Sequence, residues 1–160
     1  KDQDIEIFLH QKALDFLKRR LYSVYLILEE EAFSCGKLQI EAYFTLSHKS
    51  LIPDFEKVSR SKIQTVDGFK DAQSIHFVLI GQLGKYLEQP ETGAISSSNI
   101  TSKEILDFAF EIMNTSSALI PCRCALVECS SNPKVHKVYT AYGFRFFQND
   151  GEHHQFYKRI

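Results

Sequence analysis

The segment Ile75-His-Phe-Val-Leu-Ile-Gly-Gln-Leu-Gly84 is apolar at nearly every position, and it determines the fold. A strand that is covered on both faces is apolar in this continuous way, whereas a strand with one solvated face alternates. Arg123 to Cys129 has the same character. The two segments therefore predict two buried strands inside one sheet.

The chain between these two strands predicts a helix. Thr101-Ser-Lys-Glu104 forms a capping box, in which the hydroxyl and the carboxylate each accept an amide of the first turn. The residues that follow at helical spacing give this helix an apolar face: Ile105, Leu106, Ala109, Phe110, Ile112 and Met113. Because a strand–helix–strand connection of this kind is right-handed and parallel, we expect the two buried strands to be adjacent and parallel.

The first part of the chain predicts a helix and a hairpin. Apolar residues recur at helical spacing over Asp4 to Arg20. Val24 to Glu29 is a predicted strand, and a polar turn follows around Ser34-Cys35-Gly36. Leu38 to Ser47 alternates strictly between apolar and polar residues, which predicts a half-buried antiparallel partner strand. Leu51 to Lys70 is predicted to be a polar connection with one short helix.

The last part of the chain predicts another helix and a second hairpin. Asn132-Pro133 starts the helix, since proline at the first helical position has no amide to leave unpaired. Tyr142-Gly143 ends it with a glycine that can adopt the left-handed conformation. Phe144 to Phe147 and Gln155 to Arg159 are the last two predicted strands. Residues 1–160 are thus predicted to form a single α/β domain, with one mixed sheet and helices on both of its faces.

The charge balance of the chain is close to neutral. The formal net charge is −1, from 19 lysines and arginines against 20 acidic residues. A dedicated nucleic-acid binder carries a strong basic excess, so the composition does not favour that class. Two basic clusters, Lys18-Arg19-Arg20 and Lys57/Arg60/Lys62, are interpreted as solvated faces of helices.

The cysteines and histidines do not have the spacing of a metal site. Cys35, Cys122, Cys124 and Cys129 contain no CxxC pair, and the adjacent residues His153-His154 point to opposite faces of a strand. The start of the sequence has no secretory pattern, and no apolar run approaches the ~18 residues of a membrane span. The sequence therefore predicts reduced thiols in a cytoplasmic protein that holds no metal.

The helix that begins after Asn132 carries the most specific signal in the chain. It ends in Val138-Tyr-Thr-Ala-Tyr-Gly-Phe144, which resembles the end of the corresponding helix in the GNAT N-acetyltransferases. Ala13 to Arg20 and Ala42 to Ser47 look like segments of a bacterial branch of that family with toxin-like members. The resemblance covers most of the chain. It implies a GNAT-like single domain with a mixed, mostly antiparallel sheet, helices on both faces and two central parallel strands that splay apart.

The resemblance also implies transfer of an acetyl group from acetyl-CoA to a primary amine. The strand end at Leu83, Gly84 and Lys85 would offer backbone groups to the pantetheine arm. The pyrophosphate would lie at the start of the capped helix, where exposed amides and the helix dipole attract an anion. The residues at that position are Ser97, Ser98, Asn99, Ile100, Thr101 and Ser102. The family usually has glycines in this loop, and this sequence has serines and an isoleucine near those positions.

Three further side chains are candidates for the chemistry. The resemblance implies that Tyr139 faces the sulfur and protonates the departing thiolate; the alternative is a core aromatic residue beside Tyr142 and Phe144. Glu128 could deprotonate the incoming amine directly or through water, or it could simply point to solvent. Asn132 would contact the CoA arm in the family, and it is also suited to capping its helix.

The sequence leaves the acceptor open. A small amine, a protein amine and the amino group of an aminoacyl-tRNA all fit such a transferase, although the near-neutral charge does not favour tRNA. We expect a monomer or a homodimer without membrane association. The alternative function is a non-catalytic CoA-binding or protein-interaction module on the same fold, which the missing loop glycines favour.

Overall fold

The structure is a computed structural model that describes residues 11–88, 96–151 and 153–160. Five α-helices lie in this part of the chain: α1 (Ala13–Lys18), α2 (Glu30–Ser34), α3 (Arg60–Asp67), α4 (Ser102–Leu119) and α5 (Pro133–Ala141). The strands in the same part are β1 (Ser23–Leu28), β2 (Ile40–Leu51), β3 (Ile75–Lys85), β4 (Leu87–Glu88), β5 (Ser96–Ser97), β6 (Cys124–Cys129), β7 (Arg145–Asp150) and β8 (His153–Arg159).

Six of the strands are hydrogen-bonded neighbours in the order β1-β2-β3-β6-β8-β7. Strands β3 and β6 pair in parallel, with residues 78–80 opposite residues 125–127. The pairs β1–β2, β6–β8 and β7–β8 are antiparallel, and β4 pairs with β5 in a small separate sheet. The predicted mixed sheet is confirmed, and so is the prediction that the two buried strands are adjacent and parallel.

The chain divides into two compact units. One comprises the described residues up to Leu46 together with Gln82–Asp107, and the other comprises Ser47–Gly81 together with Phe108–Ile160. In the first unit Ala13 of α1 and Tyr43 of β2 are buried against each other. The single domain over residues 1–160 stays a prediction.

The core of the second unit includes residues of α3 and of five strands. Its buried members are Leu51, Val58, Ile63, Val66, Ile75, Phe77, Leu79, Cys124, Leu126, Phe147 and Tyr157. Helix α3 begins at Ser59, whose hydroxyl accepts the amide of Lys62. It ends at Gly68, whose φ of 110° lies in the left-handed region that favours glycine. The short helix predicted in the polar connection is thereby confirmed.

Strand β2 is buried on both faces, so the prediction of a half-buried strand was wrong. All five residues from Ala42 to Leu46 are buried, and Thr45 is 0% exposed. Because β2 lies between β1 and β3 in the sheet, its middle is an interior strand. The hydroxyl of Thr45 accepts the amide of Gln82 at 2.9 Å, so the polar side chain is satisfied inside the core.

The prediction for the segment after β1 needs correction. The polar turn around Ser34 is preceded by the short helix α2, which the apolar pattern did not reveal. Its start is held by the Glu29 carboxylate, which accepts the amides of Glu31 and Ala32. The helix predicted over Asp4 to Arg20 is seen as Ala13–Lys18, and its first residues lie outside the described part of the chain.

Both predicted ends of α5 are confirmed. The side chain of Asn132 accepts the amide of Lys134 at 3.0 Å, and Gly143 follows the helix with a φ of 98°. The second hairpin is confirmed as β7 and β8, with strands longer than predicted. None of the helices in the described residues is long and apolar enough to cross a membrane.

Truncating Phe77 should destabilise the second unit strongly. Its ring is 0% exposed and makes an edge contact with the ring of Phe147 at 6.1 Å between centroids. Phe77→Ala should lower the free energy of unfolding by about 3–5 kcal/mol, because it removes apolar contact and leaves a cavity. Phe69→Ala is the control, since Phe69 is 72% exposed, and it should change that free energy by less than about 0.5 kcal/mol. Urea denaturation measures both, and similar losses would contradict the assignment of this core.

Candidate functional site

The parallel pairing of β3 with β6 stops well before β3 ends. The last paired residues are Ile80 and Val127, while β3 continues to Lys85. In this continuation the amide of Gln82 is bound by the Thr45 hydroxyl, a side chain of β2. The predicted cofactor-contact residues Leu83, Gly84 and Lys85 all lie in this stretch, for which no partner on β6 is seen among the described residues. An extended ligand can add to a strand edge of this kind through main-chain hydrogen bonds.

The loop before α4 is tied back onto the end of β3. The ammonium of Lys85 donates to the carbonyl oxygens of Ser98 and Ile100 at 2.8 and 3.2 Å. The amide of Ser98 donates to the carbonyl of Tyr86 at 3.2 Å, and the Ser98 hydroxyl accepts the amide of Ile100 at 3.2 Å. Lys85 therefore brings a positive charge to the loop and fixes its shape.

The residues of this loop differ in what they contribute. The side chain of Ile100 is buried, so it packs into the core. Asn99 is exposed and Ser98 is half-buried. Ser97 is in β5, where its backbone pairs with Leu87. Of the predicted phosphate-loop residues, the described backbone places Ser98 to Ser102 directly before and at the start of α4.

The start of α4 has the predicted capping box. The amide of Thr101 donates to the Glu104 carboxylate at 2.8 Å, and the amide of Glu104 donates to the Thr101 hydroxyl at 3.2 Å. The hydrogen bond from the Thr101 hydroxyl lowers the pKa of Glu104, so this carboxylate is ionised at neutral pH. The amides of Ser102 and Lys103 have no carbonyl of an earlier turn to bind. These two amides and Lys85 attract an anion, whereas the Glu104 charge opposes one.

Tyr139 lies in the last part of α5 and is half-buried. Its ring meets the edge of Phe144 at 5.6 Å, and its carbonyl accepts the Phe144 amide at 3.0 Å. Burial, with a smaller contribution from Cys129, raises the pKa of Tyr139 to about 12. The phenol therefore keeps its proton throughout the neutral range. No hydrogen-bond partner for this hydroxyl is seen among the described residues.

Tyr142, the other tyrosine near the end of α5, packs against Lys158. The ammonium of Lys158 lies 3.8 Å from the centre of its ring and 4.5 Å from that of Phe110. The same ammonium donates to the Tyr142 carbonyl at 2.9 Å, where a cation is favourable because the helix dipole ends there. Tyr139 and Tyr142 thus occupy different environments on one helix.

One predicted alternative was that Glu128 simply points to solvent. The structure instead shows its carboxylate bound by two side chains. Its carboxylate is bound by the Lys49 ammonium at one oxygen and by the Gln155 amide at the other, each at 2.7 Å. The Glu128 side chain is 17% exposed. Each oxygen keeps a second lone pair for a further donor. The contacts of Glu128 with Lys49 and Gln155 were not predicted, because the three residues lie on three different strands.

The histidines near α5 form a contact that the sequence analysis also missed. The rings of His136 and His154 lie 4.8 Å apart, and the Nε2 atom of His136 is 2.9 Å from the carbonyl oxygen of Ser130. His153 is exposed. The described residues contain no group of three or more side chains that could hold a metal ion.

Comparison with known proteins gives similarity in structure and none in sequence. No protein-family model and no curated protein matches the chain. The structure of AtaT complexed with acetyl-methionyl-tRNAfMet is 18% identical with a TM-score of 0.70, over 99% of this chain and 83% of that chain. A mutant AtaT toxin bound to acetyl-CoA and to the C-terminus of the antitoxin AtaR is 16% identical with a TM-score of 0.66, over 99% of this chain and 80% of that chain.

A variant of KacT in which a tyrosine is replaced by phenylalanine gives the same result. It is 14% identical with a TM-score of 0.69, over 99% of this chain and 82% of that chain. Identities this low establish the fold alone. The chain therefore has the fold of these proteins, and the predicted likeness to toxin-like acetyltransferases is confirmed at the level of the fold.

The raised pKa of Tyr139 can be measured directly. The difference in ultraviolet phenolate absorbance between the wild type and Tyr139→Phe reports the ionisation of Tyr139. This difference signal should be nearly absent at about pH 10, where a tyrosine of ordinary pKa is half ionised. It should grow only as the pH approaches about 12. The folded state must be followed in parallel by circular dichroism. A difference signal that is already half complete at about pH 10 would show that the hydroxyl is not shielded from water.

Proposed function

We propose that this protein is an N-acetyltransferase that moves an acetyl group from acetyl-CoA to a primary amine by direct transfer in a ternary complex. The observation that carries the proposal is the parallel pair β3–β6, which stops at Ile80 while β3 continues to Lys85. Further support comes from the fold shared with AtaT, a protein solved with acetyl-CoA. We place the enzyme in the bacterial cytoplasm, as the resemblance to the bacterial toxin-like branch implies.

The proposed cofactor contacts follow the end of β3 and the start of α4. The backbone of Leu83, Gly84 and Lys85 would pair with the pantetheine arm as an added strand would. The amides of Ser102 and Lys103 would bind the pyrophosphate, and the Lys85 ammonium would compensate its charge. Acetyl-CoA supplies the activated acetyl thioester.

The proposed proton donor is Tyr139. Its phenol keeps its proton at neutral pH, since burial raises its pKa to about 12. As the amine nitrogen bonds to the carbonyl carbon and the carbon–sulfur bond breaks, Tyr139 would donate its proton to sulfur. The proton that the nitrogen loses would return to the phenolate through solvent, so that the hydroxyl is restored. A backbone amide near Leu83 to Lys85 would polarise the thioester carbonyl.

The first acceptor to test is the amino group of an aminoacyl-tRNA. The structure of AtaT with acetyl-methionyl-tRNAfMet motivates this choice. The net charge of −1 supplies no general attraction to phosphate, so small amines and protein amines stay in the panel. A non-catalytic CoA-binding or protein-interaction module on the same fold is the second candidate, favoured by the serines that stand in the loop where the family has glycines.

A charge placed at Ser98 should weaken acetyl-CoA binding. In Ser98→Asp the carboxylate can still accept the Ile100 amide, as the hydroxyl does, so the loop should keep its shape. The added negative charge should raise the dissociation constant on the order of 10-fold, because it repels the pyrophosphate. Ser98→Asn is the matched neutral control and should bind like the wild type. Isothermal titration calorimetry measures all three proteins, and equal affinities would place the pyrophosphate elsewhere.

Removing the Tyr139 hydroxyl should slow acetyl transfer. A positioned general acid contributes about 10²–10⁴-fold in rate, so Tyr139→Phe should lower kcat by this order while acetyl-CoA affinity and Tm stay close to wild type. Tyr142→Phe keeps the ring that Lys158 contacts and should change kcat little. Release of free CoA thiol with the acceptor panel is the assay.

The outcomes of that assay separate the alternatives. Equal activity of the two variants would leave Tyr139 as a packing residue, with the proton coming from water. If Tyr142→Phe alone is slow, the hydroxyl that meets sulfur lies on another face of α5. Tight acetyl-CoA binding by the wild type without thiol release for any acceptor would favour the non-catalytic module.

A further inference from the structure

Two buried glutamines lie opposite each other on the last two strands, and their amides are in different situations. Gln148 of β7 and Gln155 of β8 are register partners. Their exposures are 8% and 0%. A buried amide is expected to have hydrogen-bond partners at both its oxygen and its nitrogen. The hydrogen-bond partners of the two buried amides can therefore be compared directly.

The amide of Gln148 is satisfied at both ends by the chain. Its oxygen accepts the backbone amide of Asp54 at 2.8 Å, and its nitrogen donates to the carbonyl of Ile52 at 3.2 Å. Both partners belong to the segment after β2. Gln148 thus ties this segment to the sheet and is a structural residue.

The amide of Gln155 is satisfied at one end only. Its nitrogen donates to the Glu128 carboxylate at 2.7 Å, while its oxygen has no donor among the described residues. Turning the amide over would bring this oxygen against the carboxylate of Glu128, and two acceptors repel. Its orientation is therefore fixed by Glu128, and a buried acceptor without a donor is unfavourable. Within the described residues, no group supplies the donor that this buried oxygen needs.

Glu128 connects this buried oxygen with the end of the β3–β6 pairing and with solvent. It follows Val127, the last residue of β6 that pairs with β3, so it lies where the parallel pairing ends. Its other oxygen is bound by Lys49, whose side chain is 34% exposed. Gln155 thus contacts Glu128, and Glu128 contacts Lys49, whose side chain reaches the surface.

We propose, resting on the proposed acetyl transfer, that the side-chain oxygen of Gln155 binds one water molecule and that Gln155 is a positioning residue. It holds the Glu128 carboxylate and this water on the acceptor side. The water donates one hydrogen to Gln155 and receives the proton that the amine nitrogen loses when its bond to carbon forms. That proton then leaves to solvent past Glu128 and Lys49. Buried waters with such polar partners are ordinary parts of folded proteins.

Crystallography tests the water site without reference to activity. A structure of the whole protein at about 1.5 Å resolution should show an ordered water within about 3 Å of the Gln155 oxygen. The same site should be lost in Gln155→Met. A wild-type structure in which this oxygen has no water, or in which another donor of the chain binds it, overturns the proposal.

Kinetics tests the positioning role. Gln155→Met removes the contact with Glu128 and the proposed contact with water, and it should lower kcat on the order of 10-fold to 100-fold, as misplaced reacting groups do, with an unchanged KM for acetyl-CoA. Gln148→Met is the matched control, because it removes an equally buried amide that makes only structural contacts. It should lower Tm and leave kcat unchanged. Equal effects of the two variants on kcat would show that Gln155 acts only through stability.

A second variant keeps the test valid if Gln155→Met fails to fold. The carboxyl group introduced by Gln155→Glu retains the acceptor oxygen, but it can donate to Glu128 only when it is protonated. Its kcat should therefore be low at neutral pH and should recover relative to wild type as the pH falls toward 5. A constant ratio to wild type across this range overturns the positioning role. If the wild type transfers no acetyl group to any acceptor, the proposed function fails, and the crystal structure alone decides whether the water site exists.

Discussion

The candidate site depends on one short piece of parallel pairing, three residues of β3 against three of β6. Parallel strands place their carboxyl ends at the same edge of a sheet. This pairing therefore brings the ends of two strands together, although the strands are far apart in sequence. Because the ladder stops at Ile80 and Val127 while both strands continue, backbone groups beyond these residues are left outside it. A polar, extended ligand would find groups to pair with at this interruption.

The two compact units hold different kinds of polar groups. In the first unit, Lys85 and the first amides of α4 form an attraction for negative charge, which the ionised Glu104 partly offsets. In the second unit, burial raises the pKa of Tyr139, and Glu128 is held in one orientation by two donors. Anion binding needs exposed donors, whereas proton transfer needs partly buried groups of fixed orientation.

Much of the fold could be predicted because it rests on local patterns. The capping box at Thr101, the cap at Asn132 and the glycine after α5 were all found at the predicted positions. Strand β2 was wrongly predicted to be half-buried, because alternation of apolar and polar residues does not show whether neighbouring elements cover both faces of a strand. Helix α2 was missed, since it buries no residue and its cap is a glutamate. The site was predicted less completely, since Lys49, Gln155 and the His136–His154 contact lie on elements that are distant in sequence.

The sequence by itself determined most of the helices and strands, the parallel crossover and the candidate tyrosine, because periodicity, caps and a terminal helix pattern are properties of neighbouring residues. The tertiary structure alone decided which polar groups meet. In it, Tyr139 and Tyr142 occupy different environments, and the Glu128 carboxylate accepts hydrogen bonds from Lys49 and Gln155. The buried amide oxygen of Gln155 has no donor among the described residues. The physical reason is that a strand pattern fixes which face a side chain takes, whereas its partners depend on the order and register of strands that the pattern does not contain.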